Sequence, residues 1–530
     1  MSDLHPSLLQ VLRRRGFRAQ AQIYQLLQPS LDLKSFSVPD MAKAVERLQK
    51  AIRNEEVVAI YADRDVDGLS GLAILARSLK TLGANVRWGS PLKGRGLERS
   101  VLEALVQSGA KVMILVDCGT GETAELAWLA SQGMEVIVAD HHRMLPELPM
   151  AYAWIHPGSS SDDHSESPCG SVMAFKLAEA LWRTFIDPSD PERLNYFLFD
   201  HLDLVALGIL ADRVPLTGEN RMLVWHGLRR LANTRKAGLA SLLRFFRIKG
   251  NPITVRQATW QIIPLLNAAG RLGEPHWTAD LLMTEDPWAA RECIDALLGL
   301  NRARRQAQDE SLTHFENTVL EQCVVDKDPV LLATARGLEP SVTGLAAQSL
   351  VQKYGRPAFL FVEQDDDLVG SGRGTPNIDL FAWVLRHQEL LVKFGGHQGA
   401  VGLTVRKSDF PALREGLLKS AEEENSGGPQ KGAEPEAEVR LEEAEEKWWE
   451  SLMTLEPFGP GFEIPTFELS HLDGIIPRSK RSPTKVMLKR GAFSWPGELP
   501  DGGTVPRRLI AIPQATPKEE FPFKWVIQPE

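Results

Sequence analysis

Val57-Val58-Ala59-Ile60-Tyr61-Ala62-Asp63-Arg64-Asp65-Val66-Asp67-Gly68 is a short run of β-formers that breaks into acids and a glycine, and a helical pattern follows from Leu69 to Leu82. The order recurs downstream. Val112 to Val116 precedes Asp117 and a helix near Thr123 to Ser131, and Val136 to Ala139 precedes Asp140, His141 and His142. Strands alternating with helices predict a parallel, doubly wound sheet. In such a sheet the carboxyl ends of the strands form the ligand crevice, so the acids after Ala62, Val116 and Ala139 can converge. Asp212, after the apolar run Leu204 to Leu210, is grouped with these strand ends as a fourth candidate. Each acid taken alone reads equally well as a helix cap, and Asp67, just before Gly68, reads best as one.

Carboxylates that converge repel and raise each other's pKa unless a cation sits among them. Asp oxygens with one or two imidazoles favour Mn²⁺ or Mg²⁺. The four cysteines, Cys118, Cys169, Cys293 and Cys323, form no CxxC pair. They give neither a thiolate zinc site nor a disulfide framework, and suit a reducing cytosol.

Outward from the first sheet, 530 residues give a prior of about three or four domains. Val330 to Ala333, a helix near Leu345 to Tyr354 and Ala358 to Val362 predict a second α/β domain. Asp286 to Glu321 keeps helical periodicity and reads as a long connecting helix. Ala421 to Lys431, rich in Gly, Ser, Pro and Glu, reads as a flexible linker to a terminal module with little helical pattern, for which a small β-barrel is the economical expectation. No apolar stretch approaches the roughly 20 residues that cross a bilayer. Met1 to Gln20 lacks the apolar region of a signal peptide, so a basic surface helix and a cytoplasmic location are expected.

The net charge of −9 argues mildly against a nucleic-acid partner. Its distribution argues the other way. Asn220 to Gly273 contains no Asp or Glu but ten cations: Arg221, Arg229, Arg230, Arg235, Lys236, Arg244, Arg247, Lys249, Arg256 and Arg271. That segment reads as a surface for an anionic polymer. Trp225, Phe245, Phe246 and Trp260 are interleaved with those cations, although each ring reads first as core. Arg478, Lys480, Arg481, Lys485, Lys489 and Arg490 add a basic hairpin to the terminal module.

The strings Asp63-Arg64-Asp65-Val66-Asp67-Gly68, Val116-Asp117-Cys118-Gly119, Asp140-His141-His142 and Ala211-Asp212 resemble the ordered motifs of the DHH phosphoesterases. Asn267-Ala268-Ala269-Gly270-Arg271, Gly370-Ser371-Gly372-Arg373-Gly374, Gly395-Gly396-His397 and Leu455-Glu456-Pro457-Phe458-Gly459-Pro460-Gly461 are similar to strings of the RecJ branch of that family, exonucleases specific for single-stranded DNA. The resemblance implies an N-terminal helical extension at 1–50, a DHH domain at 51–285, a connecting helix at 286–325, a DHHA1 domain at 326–420, a flexible acidic linker at 421–437 and an OB-fold at 438–530.

Carried over by position, Asp63, Asp65, Asp117, His141 and Asp212 would hold two Mn²⁺ or Mg²⁺ ions, with Asp117 bridging and His142 beside the scissile phosphate. Asn267, Arg271, Ser371, Arg373, Gly395, Gly396 and His397 would contact the nucleic acid, and Asp67 and Gly68 would be structural. The implied function is 5′ to 3′ hydrolysis of single-stranded DNA in repair and recombination, with a single-strand-binding protein and a helicase as partners and no membrane. Some strings depart from the family. Pro91-Leu92-Lys93-Gly94-Arg95-Gly96-Leu97 is shorter than the usual loop and lacks its Tyr, leaving Lys93 and Arg95 as replacement cations. Leu265, Leu338-Glu339-Pro340-Ser341 and Phe462 also depart. These changes spare the acids and touch the substrate groove. The competing readings are a DHH phosphodiesterase for oligoribonucleotides or cyclic dinucleotides, and a non-catalytic replication or repair scaffold, which would be expected to have lost ligands.

Overall fold

The computed structural model describes residues 4–31, 33, 38–94, 96–144, 149–159, 168–187, 189–248, 252–325, 327–375, 378–425, 434–479, 482–499, 509–516 and 523–528. The chain forms two compact units, Met1–Asn301 with Ala433–Glu530, and Arg302–Gly432.

The first unit is built on five parallel strands, β1 (Val57–Ala62), β2 (Asn85–Gly89), β3 (Val112–Val116), β4 (Glu135–Ala139) and β5 (Ala153–Ile155), in the order β2-β1-β3-β4-β5. Period-two alternation divides the strands between two cores. Val58, Ile60 and Ala62 face one side with Ile114 and Val116, under the helices Val66–Thr81, Gly170–Arg183 and Pro191–Asp212. Ala59 and Tyr61 face the other with Met113 and Leu115, under Arg99–Gln107 and Thr123–Ser131. The chain leaves β1 for β2 on one side, and β3 lies on the other. That topological switch point opens a crevice at the carboxyl ends of β1 and β3, where Asp63 and Asp117 sit.

Asp212 does not follow a strand. It is the last residue of the 22-residue helix Pro191–Asp212, whose apolar run is buried on most sides. This helix alone among the described residues is long and apolar enough to cross a membrane, and 67% of its most apolar window is buried within the protein. A short run of Leu, Val and Ala buried all round has no polar face to reveal its period, which is why the sequence groups it with the strands.

The helices Pro6–Arg14 and Gln20–Leu27 do not form a free extension. Leu8, Val11, Leu12 and Ile23 enter the core of the C-terminal module beside Val439, Trp448, Phe467 and Trp525. Trp448 Nε1–H donates to Ser7 Oγ at 3.1 Å. The module is a seven-stranded mixed sheet of β11 (Ala437–Arg440), β12 (Phe467–Ser470), β13 (Gly474–Ser479), β14 (Ser482–Arg490), β15 (Phe493–Glu498), β16 (Ile510–Ala515) and β17 (Phe523–Ile527), ordered β11-β12-β16-β17-β15-β14-β13. Strands β13 and β14 form the expected hairpin, on which Lys485 and Lys489 are exposed. Arg490 is instead paired with Glu442 at 2.9 Å. Lys480, Arg481 and the side chain of Arg478 lie outside the described residues.

The second unit carries β6 (Leu331–Ala335), β7 (Ala358–Gln364), β8 (Asp367–Arg373), β9 (Leu391–His397) and β10 (Ala400–Arg406), ordered β6-β7-β8-β10-β9. The helix Thr343–Tyr354 links the parallel pair β6 and β7, and the remaining pairs are antiparallel. The long helix spans Pro287–Gln322. Its Ala290, Ile294 and Leu297 belong to the core of the first unit, and its Phe315 and Val319 to that of the second. The helix Phe410–Asn425 extends into residues 421–425, so the segment read as linker begins as helix.

Candidate metal centre

Asp65, not Asp67, caps the helix that starts at Val66. One of its carboxylate oxygens accepts from the N–H groups of Asp67 (3.0 Å) and Gly68 (3.2 Å). Asp67 is 1% exposed and caps a different helix, accepting from the N–H groups of Gly170 (2.6 Å) and Ser171 (2.9 Å) at the start of Gly170–Arg183. No sequence signal within the first motif announces a partner a hundred residues away. Gly68 is structural by close approach: a Cβ there would lie 2.4 Å from the carbonyl oxygen of Asp63. Gly208 does the same for the long buried helix. A Cβ would meet Ser171 Oγ at 1.9 Å and Asp67 Oδ1 at 2.5 Å, and this contact sets Asp212 at the crevice one turn later.

Asp117 follows β3 with φ +59°, a left-handed conformation that few residues other than glycine adopt readily, and is 5% exposed. His141 Nε2 lies 3.1 Å from Asp117 Oδ1 and 3.7 Å from Asp212 Oδ2. Asp63, Asp65 and Asp117 each bring a carboxylate oxygen within 4.8 Å of the others. Asp117 brings one equally close to Asp140, His141 and His142, and Asp67, His141 and Asp212 form a third such group. Asp117 therefore belongs to two donor sets. The donors are carboxylate oxygens and imidazoles, which suits hard divalent cations.

Electrostatics agree with that assignment. Burial, then the charges of Asp67 and Asp65, push the Asp117 carboxyl well above its usual range. Burial, then Asp67, pushes Asp212 up to about 6. Too many anions share the crevice for the nearby imidazoles to neutralise, and a bound dication would remove the penalty.

Asp140 behaves differently. Burial opposes its ionisation, but it accepts from His142 Nδ1 (2.8 Å), from the N–H groups of His141 (2.7 Å) and Thr120 (3.1 Å), and from the Thr120 hydroxyl, which together hold it well below the usual carboxylate range. Its hydrogen bond raises His142 to about 9. His142 is thus a cation at neutral pH, with its side chain 57% exposed. Thr120 escaped sequence reasoning, although it sits in the string Asp117-Cys118-Gly119-Thr120.

The expected nucleic-acid contacts divide. Asn267 Oδ1 accepts from the N–H of Val66 at 3.0 Å, so this side chain braces the first turn behind Asp65. Arg271 ends the helix Ile263–Arg271 and is exposed. Lys93 is exposed, and Glu98 holds its loop by accepting from the N–H groups of Leu92 and Lys93 at 2.8 and 3.1 Å. Arg95 lies outside the described residues. In the second unit, strand register sets Ser371, Gly402 and Gly395 in one row and pairs the backbone of Ala400 with Arg373 on one side and His397 on the other, with Ser371 and Arg373 on one face of the sheet. A Cβ at Gly395 or Gly402 would meet nothing, so this part of the face is open. Thr343 Oγ1 holds Ser371 Oγ at 2.9 Å, and Gly396 takes φ +140°. The His397 side chain lies outside the described residues.

The acid-free segment divides: Arg235, Arg244, Arg247, Arg256 and Arg271 are exposed, whereas Arg221, Arg230 and Lys236 are taken up within the fold. Arg221 is 6% exposed, donates to the carbonyls of Leu455 (2.6 Å) and Pro457, and lies 3.9 Å from the Phe462 ring centroid. Arg230 pairs with Asp200, and fully buried Lys236 pairs with Asp203 at 2.9 Å. Arg229 covers Trp225 at 3.3 Å. Of the four interleaved rings Trp260 is the one set well out, at 75% exposure.

Residues 57–209 match the model of the DHH family, N-terminal domain, and residues 327–423 that of the DHHA1 domain. The chain is 30% identical over 425 residues to the single-stranded-DNA-specific exonuclease RecJ of Bacillus subtilis (strain 168), a match covering 79% of this chain and 52% of that protein. The chain thus spans about half the length of that curated relative. It is 30% identical over 433 residues to RecJ of Escherichia coli (strain K12), covering 78% of this chain and 74% of that protein. A crystal structure of RecJ from Thermus thermophilus in complex with Mn²⁺ superposes with a TM-score of 0.77 at 26% identity, over 99% of this chain and 76% of that one. With both domain models matched in order, and with the E. coli protein covered over most of its length, the chain belongs to the RecJ family.

Proposed function

We propose that this chain is a metal-dependent 5′ to 3′ exonuclease acting on single-stranded DNA, in repair and recombination. The observation that carries the reading is Asp117, buried, held at positive φ after β3 and shared by two sets of donor atoms. Asp63, Asp65, Asp117, His141 and Asp212 would hold two Mn²⁺ or Mg²⁺ ions. Such a pair, when bound, supplies an activated water and neutralises charge on the phosphoryl group. Asp140 fixes the His142 ring through Nδ1 and keeps it protonated, which leaves Nε2–H to donate to a phosphate oxygen. Asp65, as cap, and Asn267, from the helix Ile263–Arg271, hold the first turn of Val66–Thr81 still, so that the Asp63 and Asp65 carboxylates keep their spacing.

The open glycine face beside Ser371 and Arg373 fits a nucleic-acid backbone, because close N–H groups and a guanidinium suit phosphate. We assign the phosphoesterase domain to residues 51–285, the second domain to 326–420 and an OB-type strand-binding module to 438–530. A cytoplasmic location, and contact with a single-strand-binding protein or a helicase, rest on the family alone.

Purified chain with Mn²⁺ is to be given a 5′-labelled single strand, the matching duplex, an oligoribonucleotide and a cyclic dinucleotide, beside Asp117→Ala. Mononucleotide release from the single strand, absent in the variant, is expected. Faster cleavage of the ribonucleotide or the cyclic dinucleotide overturns the DNA assignment, and inactivity on all four substrates overturns catalysis.

A further inference from the structure

One ring of the acid-free segment stands apart from the others. Trp225 lies under Arg229, and Phe245 packs on Phe246 and faces Arg291. Trp260 is 75% exposed and, among the described residues, touches no other ring or cation. A tryptophan exposed by itself is ordinary, and what matters is where this one stands.

Trp260 sits in a single wide turn, Ala258–Ile262, in which the N–H of Ile263 bonds to the carbonyl of Ala258 five residues back. Pro264, four residues on, has no N–H to return to the Trp260 carbonyl, so the regular helical ladder is interrupted at this residue. Wide turns of this kind occur frequently at functional sites.

The exposed and half-buried residues Arg256, Trp260, Pro264, Asn267 and Arg271 recur at spacings of four, four, three and four, the period of one helix face. No acid lies on that stripe. Both of its ends are fixed. At one, Arg256 donates to the carbonyl of Ala515, at the end of β16 in the C-terminal module, at 2.8 Å. At the other, Asn267 accepts from the N–H of Val66, and Gly270 comes so close to the first acidic string that a Cβ there would lie 2.1 Å from the carbonyl oxygen of Arg64. The stripe therefore runs from the C-terminal module to the turn that carries Asp63 and Asp65, with a cation near each end and one bare ring between them. Phosphate to guanidinium and base to ring are the two contacts by which a protein holds a single strand.

We propose that Trp260 is a stacking platform for the substrate strand, holding one base on the 3′ side of the scissile phosphate as the backbone follows the stripe to the metal centre. Seven residues separate Trp260 from Asn267, about 10 Å of helix at 1.5 Å per residue. That is about three nucleotides of a stacked strand at roughly 3.4 Å each. The base held is thus about the third from the scissile phosphate. The assignment rests on the nuclease reading for the identity and polarity of the strand.

Two measurements on the full chain test it. In EDTA, where no turnover occurs, a thymidine strand of about twelve nucleotides should quench the tryptophan fluorescence of the parent. Trp260→Ala should lose part of that quench and bind the strand about 5- to 100-fold more weakly, the range for one base stacked on a ring. Trp260→Phe keeps a ring and should bind within about threefold of the parent. Thermal unfolding of each variant shows that it is folded. With Mn²⁺, the first cleavage is then followed on strands that carry one abasic position, moved inward from the 5′ end. In the parent one position, about the third or fourth, should raise KM at least about fivefold with kcat held. Trp260→Ala should show no such position, because ring and base act as a pair. No quench in the parent, strand binding by Trp260→Ala equal to that of the parent, or an abasic penalty that keeps its place and size in Trp260→Ala overturns the proposal. A parent that shows the quench and its loss in Trp260→Ala but releases no mononucleotide overturns the nuclease reading and leaves the strand contact standing.

Discussion

Two charge clusters stand side by side in this protein and meet opposite fates. At the metal centre Asp63, Asp65, Asp117 and Asp212 converge beyond what neighbouring side chains can neutralise, and Asp117 and Asp212 resist ionisation. In the acid-free segment Arg221, Arg230 and Lys236 each find an acid or a carbonyl from elsewhere in the fold. The first cluster is unfinished without a ligand, whereas these three cations of the second are matched within the protein. A buried charge satisfied by the protein stabilises a domain contact, whereas one left in excess marks a place for something to bind.

This contrast can be broken experimentally. Asp117→Asn should lower metal-dependent hydrolysis by roughly 10³-fold or more, because the shared ligand is lost. It should also raise the thermal stability of the chain in EDTA, since it removes a repelled charge; a fall in stability there would show that the acids are not in excess. Lys236→Met goes the other way. It leaves Asp203 buried without its cation, and urea unfolding should show a loss of about 3–5 kcal/mol, whether or not metal is present. Arg221→Met strips the donors from the carbonyls of Leu455 and Pro457, with an expected loss of about 2–3 kcal/mol by the same measurement.

The smallest effect concerns Glu456, which burial raises from 4.5 to about 7 against the pull of Arg221 and Arg229. A carboxyl with a raised folded-state pKa contributes stability that is full below pH 4.5 and is lost as pH rises through about 7. Glu456→Gln cannot ionise. It should match the parent near pH 4 and exceed it by about 1–2 kcal/mol at pH 8. Equal stabilities at pH 8 would mean that the two arginines already compensate the ionised acid.

Much of the metal centre was legible because its residues follow strands in short strings, and a parallel sheet gathers strand ends whatever the details of packing. The doubly wound sheet, the long helix and the second α/β domain were legible by the same periodicity. What was lost is tertiary. Asp67 caps a helix that begins about a hundred residues later, and Asn267 braces the turn behind Asp65 from two hundred residues away. In the basic segment composition counts charges without showing which of them face acids such as Asp200 and Asp203 and which, such as Arg244, Arg247 and Arg256, stay exposed. Arg95 and the His397 side chain lie outside the described residues, so both stay on the strength of the sequence.

The packing of Leu8, Val11 and Leu12 against Trp448 and Trp525 also orders events on the ribosome. The helix Pro6–Arg14 emerges well before Trp448, and its apolar face has no cover until that partner, more than 400 residues later, has been made. At about 5–20 residues per second that wait lasts roughly 20–90 s. During it the parallel sheet can close, while the first helix stays a bare amphipathic segment, open to whatever greasy surface the cell presents. The core of the C-terminal module therefore cannot close before its strands, through Phe523–Ile527, have been made.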